Sequence, residues 1–216
     1  MNEPSNTDSF AAKTHALLDA HGDVFLQIAK GSIEHGLSHK TPLDPALDTL
    51  PPEMAETGAC FVTLNKLDIN NAKHLRGCIG SPEAWRPLAT DVAQNAFRSA
   101  FQDPRFAPLK TDETPALDIH ISVLSPAQPF EFLDEGDLLY KLRPGVDGLI
   151  IEDMGRRALF LPSVWSQLPD PVQFLTHLKA KAGLGTDHWS DSFKGWRFIA
   201  AETGAKWPDI LTDHAE

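Results

Sequence analysis

The sequence is poor in cysteine, in cationic side chains and in long apolar runs. Its two cysteines among 216 residues are Cys60 and Cys78, with no CxxC spacing and no HxxH pair. That is too few for the common structural zinc sites, so no metal site is expected. The nine histidines are scattered, with none expected at ligand spacing. Residues 1–9 carry no cationic patch leading into an apolar stretch, as a signal or transit peptide would, so a cytoplasmic protein with two free thiols is expected. No run approaches the ~18 apolar residues that a membrane span needs, which argues against membrane insertion. Lys plus Arg number 19 against 30 for Asp plus Glu, a formal charge of −11. An average surface of that sign repels phosphate backbones and anionic lipid, which argues against a protein that coats nucleic acid broadly. Internal repeats, low-complexity segments, GxGxxG and P-loop patterns are missing too.

What is present is an ordinary globular composition, 42% hydrophobic by residue, with strands and helices intermixed. Residues 10–37 have helical apolar spacing, which Gly22 is expected to break in two. The stretch 41–58 holds Pro42, Pro45, Pro51 and Pro52 and reads as an exposed connector. Residues 59–67 form a strand, an Asn70-Asn71 turn follows, and a second strand covers 75–80. A helix is expected over 87–101, with Leu88, Ala89, Val92, Ala93, Ala96, Phe97 and Ala100 as its buried stripe and Asp91, Asn95 and Arg98 left for other faces. Asp103-Pro104 stops it. Residues 117–124 alternate as a strand, with Ile119, Ile121 and Val123 on one face and His120 and Ser122 on the other. A short helix near 134–142 precedes a hairpin of 148–152 and 157–161 around Met154-Gly155. Asp170 and Pro171 open a further helix that Gly183 closes, and residues 196–201 make a last strand. Few βαβ spacings occur, so the expected class is α+β with a largely antiparallel sheet flanked by helices.

One segment stands out physically: Leu75-Arg76-Gly77-Cys78-Ile79-Gly80. Two glycines weaken a strand, and glycines so placed commonly permit close approach of a backbone or ligand, which makes Gly77 and Gly80 candidates for ligand contact. In a regular strand His74, Arg76, Cys78 and Gly80 share a face, and Arg76 and Cys78 lie roughly 6 to 7 Å apart. A guanidinium near a thiol favours thiolate, the form a nucleophilic or redox cysteine needs. Cys78 therefore has two readings, a reactive thiol or a small packed residue, whereas Cys60 shares a face with Val62 and Leu64 and reads as core. Arg76 needs a partner, which is either Asp103, another carboxylate or an anionic ligand. Asp103 and Arg105 either cap the preceding helix as a local ion pair or line a cleft, Arg105 holding an anion and Asp103 orienting a base or proton. Residues 66–110 hold seven Lys and Arg against four Asp and Glu, so the acidic chain contains a locally basic segment around this motif.

This hexapeptide resembles the signature of the AMMECR family, in its bacterial branch, the A protein of the AmmeMemoRadiSam system. Other blocks agree in order: residues 58–64 (Gly-Ala-Cys-Phe-Val-Thr-Leu), Asp103-Pro104-Arg105-Phe106, residues 119–124, residues 145–149, residues 160–164 and residues 181–184. The resemblance covers about residues 20–202, leaving 1–19 as an N-terminal extension and 203–216 as a tail. It implies a two-lobed α+β fold with the motif near a cleft, and no established reaction or cofactor. It further implies an enzyme or enzyme subunit in a modification pathway alongside a Memo-type protein and a radical S-adenosylmethionine enzyme, acting on a nucleotide, an RNA base or a related anionic small molecule. On that reading Cys78 and Asp103 are the catalytic candidates, and Arg76, Gly77, Gly80 and Arg105 the ligand-binding ones. The alternative is a non-catalytic binding module or scaffold. Ser99 stands where alanine is expected in the family, and His120 where an acidic or apolar residue is common.

Overall fold

A computed structural model describes residues 6–211. The elements run, in order, α1 (Asn6–His39), α2 (Pro52–Ala55), β1 (Thr57–Leu67), β2 (Lys73–Gly80), β3 (Arg86–Pro87), α3 (Leu88–Phe101), β4 (Leu117–Leu124), β5 (Gln128–Pro129), α4 (Glu135–Lys141), β6 (Gly148–Asp153), β7 (Arg156–Phe160), α5 (Pro171–Lys181), β8 (Lys194–Phe198) and β9 (Ala200–Lys206). The class is α+β, as expected. The described residues divide into two units, residues 13–124 with 201–211 and residues 125–200 with 6–12. The expected extension boundary at residue 19 therefore falls inside α1, and the tail boundary at 203 inside β9; residues 1–5 and 212–216 lie outside the described residues.

The first unit is built on a sheet of order β2-β1-β4-β9, with β3 also paired to β1. Strands β1 and β2 are antiparallel, as are β1 and β4. Cys60, Val62 and Leu64 of β1 are fully buried with Ile119 and Ile121 of β4. Helix α3 covers that side, and its expected stripe is buried throughout. Pro87 sits at its N-cap with φ −51°, where the missing N–H costs nothing. One expectation fails here. Asp91 and Asn95 do not face outward but are wholly buried. Asp91 accepts hydrogen bonds from the Cys60 backbone N–H, the Ser81 hydroxyl, Arg86 Nε and Asn95 Nδ2. Apolar periodicity cannot reveal a polar residue whose partners arrive from distant strands.

Helix α1 is also not broken at Gly22. A Cβ at that position would come 3.1 Å from Thr203 Oγ1, so the glycine lets β9 pass close, and that packing outweighs the ~1 kcal/mol a mid-helix glycine costs. On the same helix His35 and His39 stand one turn apart with rings stacked at 4.3 Å, a pairing the sequence reading overlooked. No group of three or more metal-binding side chains occurs among the described residues, and no described helix is long and apolar enough to cross a membrane.

The second unit holds a sheet of order β5-β8-β6-β7, packed on a core of Leu149, Ile151, Trp165, Phe174 and Leu178. Its β6–β7 hairpin turns through Met154 and Gly155, with φ 51° and 69°, the left-handed pair a two-residue turn requires. Asp170 caps α5 by accepting from the Gln173 N–H, and Gly183 follows the helix at φ 74°. The single last strand expected over 196–201 is in fact two: β8 belongs to this sheet and β9 to the other.

Candidate functional site

The motif strand β2 lies at the edge of its sheet, and its pairing with β1 is irregular. Leu64 pairs with Gly77 but Asn65 with Leu75, so Arg76 is the extra residue of a β-bulge. A bulge interrupts alternation. The regular face expected to place Arg76 beside Cys78 does not exist. Arg76 turns to Glu113, donating from Nε at 2.9 Å and Nη2 at 3.1 Å, and Nη2 also donates to the Ala107 carbonyl at 2.8 Å. Its partner is thus a carboxylate other than Asp103. The Arg76 guanidinium holds the Glu113 carboxyl down to about 2. Arg76 Nη1 is buried without a hydrogen-bond partner, and the guanidinium carbon stands 5.8 Å from the Phe106 ring centroid.

Both glycines are required by the protein's own packing. A Cβ on Gly77 would meet the Ser99 carbonyl oxygen at 2.1 Å, and one on Gly80 would meet Cγ of the Phe61 ring at 2.2 Å. At each glycine the position a side chain would take is filled from within. Ser99 joins the two strands directly, accepting from the Ile79 N–H and donating to the Val62 carbonyl, which an alanine there would not do.

Asp103 and Arg105 come to Cys78 from the loop after α3. Asp103 Oδ2 accepts the Cys78 N–H at 2.9 Å, and Arg105 Nη2 donates to the Cys78 carbonyl at 3.3 Å. The two side chains take the place of a further strand on the open edge of β2, which would otherwise present unpaired backbone groups. They are also bonded to each other, with Arg105 Nε and Nη2 donating to Asp103 at 2.9 and 2.7 Å. Arg105 holds the Asp103 carboxyl well below the usual carboxylate range against the opposing effect of burial, and the hydrogen bond to Asp103 raises Arg105 in turn. The Asp103 side chain is 1% exposed and that of Arg105 52% exposed, so the carboxylate is committed while the guanidinium stays within reach of solvent. The local ion pair expected of these two residues is therefore present, whereas the end of α3 is capped by the Gln102 N–H bonding the Arg98 carbonyl.

Cys78 itself is half-buried and free. Its β1 neighbour is Thr63, whose Oγ1 donates to Cys78 Sγ at 3.3 Å. Thr63 in turn faces His120 on β4, so Cys78, Thr63 and His120 occupy one row across three strands. His120 belongs to a further cluster: its Nε2 lies 2.8 Å from both Asp118 Oδ2 and Lys73 Nζ, and Lys73 pairs with Asp118 at 2.7 Å. Burial pushes the Asp118 carboxyl up, but Lys73 and His120 outweigh it and hold it low. Sequence reasoning missed Thr63, Glu113 and the Lys73–Asp118–His120 group. Strand register was the missing information; alternation alone placed His120 and Ser122 on the right face without their neighbours.

A family model described as AMMECR1 matches residues 26–203. The chain belongs to the AMMECR1 family. Among its relatives, protein PH0010 of Pyrococcus horikoshii is 37% identical over 186 residues, covering 84% of this chain and 88% of the relative. Protein TK0174 of Thermococcus kodakarensis is 36% identical over 190 residues, covering 86% and 91%. The solved crystal structure of PH0010 superposes with a TM-score of 0.77 at 34% identity, covering 89% of this chain and 95% of that one. Cys78, Asp103, Arg105, Arg76 and Glu113 all fall inside the span the AMMECR1 model matches.

Proposed function

We propose that this AMMECR1 protein is an enzyme, or a subunit of one, that uses the Cys78 thiol on an anionic ligand held at Arg105. The observation that supports this reading most directly is the treatment of Cys78: a half-buried cysteine on an edge strand, its backbone N–H and C=O held by a buried carboxylate and a half-exposed guanidinium. A cysteine that only packs needs neither solvent access nor a cation at hand. Cys78 then acts as nucleophile, redox thiol or hydrogen donor, and Arg105 offers the planar fork suited to a carboxylate or phosphate. Asp103, first expected as a catalytic group, is read as positioning both of them. Arg76, with its charge answered by Glu113, shapes the loop that carries Arg105. Within this proposal the protein works in the cytoplasm beside a Memo-type protein and a radical S-adenosylmethionine enzyme, on a nucleotide or an RNA base.

Treating the folded chain with iodoacetamide at about pH 7 is expected to label Cys78 and spare Cys60, with peptide mass as the readout. Cys78→Ser is expected to abolish pathway activity without loss of fold. Labelling of Cys78 only after unfolding removes the thiol reading. Activity retained by Cys78→Ser, together with loss of co-purified ligand from Arg105→Ala in native mass spectrometry, identifies a binding module instead.

A further inference from the structure

The proposed thiol chemistry needs a group that steadies the thiolate, and the inference below rests on that reading. Neither arginine is bonded to the sulfur. Arg76 uses its bonds on Glu113 and the Ala107 carbonyl, and Arg105 on Asp103 and the Cys78 carbonyl. The hydroxyl of Thr63 is the group that meets Cys78 Sγ, at 3.3 Å.

The backbone explains why this contact forms. The Cys78 N–H and C=O engage Asp103 and Arg105, on the side of β2 away from β1. In an antiparallel ladder one residue's N–H and C=O point the same way, so Thr63 and Cys78 form a non-hydrogen-bonded pair. Such pairs bring their Cα atoms to about 4.5 Å and their side chains closest together. The β-branched threonine is stiff at χ1, which keeps Oγ1 in place. A hydrogen bond donated to sulfur favours the charged form over the neutral one, and the thiolate is the reactive form.

We infer that Thr63 is a positioning residue for Cys78, its hydroxyl donating to the sulfur across the β1–β2 pair so that the thiolate is stabilised and aimed. The β1–β2 register sets this pair, and Asp103 and Arg105 hold the outward-facing backbone groups of Cys78.

The test follows iodoacetamide labelling of Cys78 in the full chain for the natural sequence, Thr63→Val and Thr63→Ser. Valine keeps the shape and removes the donor; serine keeps the donor. At about pH 7 the valine variant is expected to label about fivefold more slowly and the serine variant near the natural rate. At about pH 10 the three rates are expected to converge, because thiols in general are ionised there. Equal rates for the natural and valine proteins at about pH 7 overturn the inference. So does a valine variant slowed equally at both pH values, or a serine variant that stays slow, since either marks altered packing. Should Thr63→Val fail to fold by circular dichroism, Thr63→Ala carries the same expectation. If Cys78 of the natural protein does not label while folded, the thiol reading fails, whatever Thr63 does.

Discussion

The two cysteines sit on neighbouring strands of one sheet and receive opposite treatment. Cys60, on β1 under α3, is fully buried, and its backbone enters a network of Asp91, Asn95 and Ser81. Burial pushes its thiol well above the ordinary range, and the Asp91 charge adds to the rise. Cys78, on β2, is a half-buried residue whose sulfur meets Thr63 while a carboxylate and a guanidinium hold its backbone. Both sites use an aspartate to accept a cysteine N–H. At Cys60 the surrounding groups accompany complete burial; at Cys78 the residue stays half-buried. A buried aspartate beside a cysteine is thus no sign of chemistry by itself; what separates the two sites is burial.

The largest effect that sharpens this comparison is expected on the closed side. Asp91→Ala strips four donors of their acceptor and leaves Arg86 beside it unpaired, a loss of about 3–5 kcal/mol by urea denaturation. A cost under about 1 kcal/mol would mean that the network does not hold the α3 face. Next in size is Gly77→Ala, at about 2–3 kcal/mol, because the new methyl meets the α3 backbone and neither element can yield easily. Gly80→Ala meets the Phe61 ring, a side chain able to turn away, and is expected to cost less than Gly77→Ala in the same assay. The reverse order would show that β2 is held by Phe61 more than by α3.

The smallest effect is in the acid response. Glu113 has a folded value of about 2 against about 4.3 when unfolded, a lowered value, so its contribution is complete above the unfolded value and is lost as pH falls toward the folded one. Glu113→Gln is therefore expected to flatten the fall in thermal midpoint between about pH 4 and pH 2. An unchanged slope would place the acid sensitivity elsewhere, with Asp103 as the first alternative since its carboxyl is also held low.

Much of this was readable from residues alone. The α3 stripe, the alternation of β4, the Met154-Gly155 turn and the Asp170 cap are local: each depends on a period, a proline or a glycine within a few positions, and the structure keeps them. The Leu75–Gly80 motif was also found by its chemistry, through its paired glycines and isolated arginine and thiol. Its internal geometry was not readable, because one extra residue at Arg76 shifts the register against β1 and sends the guanidinium to Glu113, 37 positions away in the chain. Asp91 and Asn95 likewise look like surface positions until strands from elsewhere bring their donors. By itself the sequence determined the α+β class and most of the helices and strands. Tertiary structure alone decided that Arg105 and Thr63, rather than Arg76, stand against Cys78, since strand register is set by contacts between distant segments and no local pattern records it.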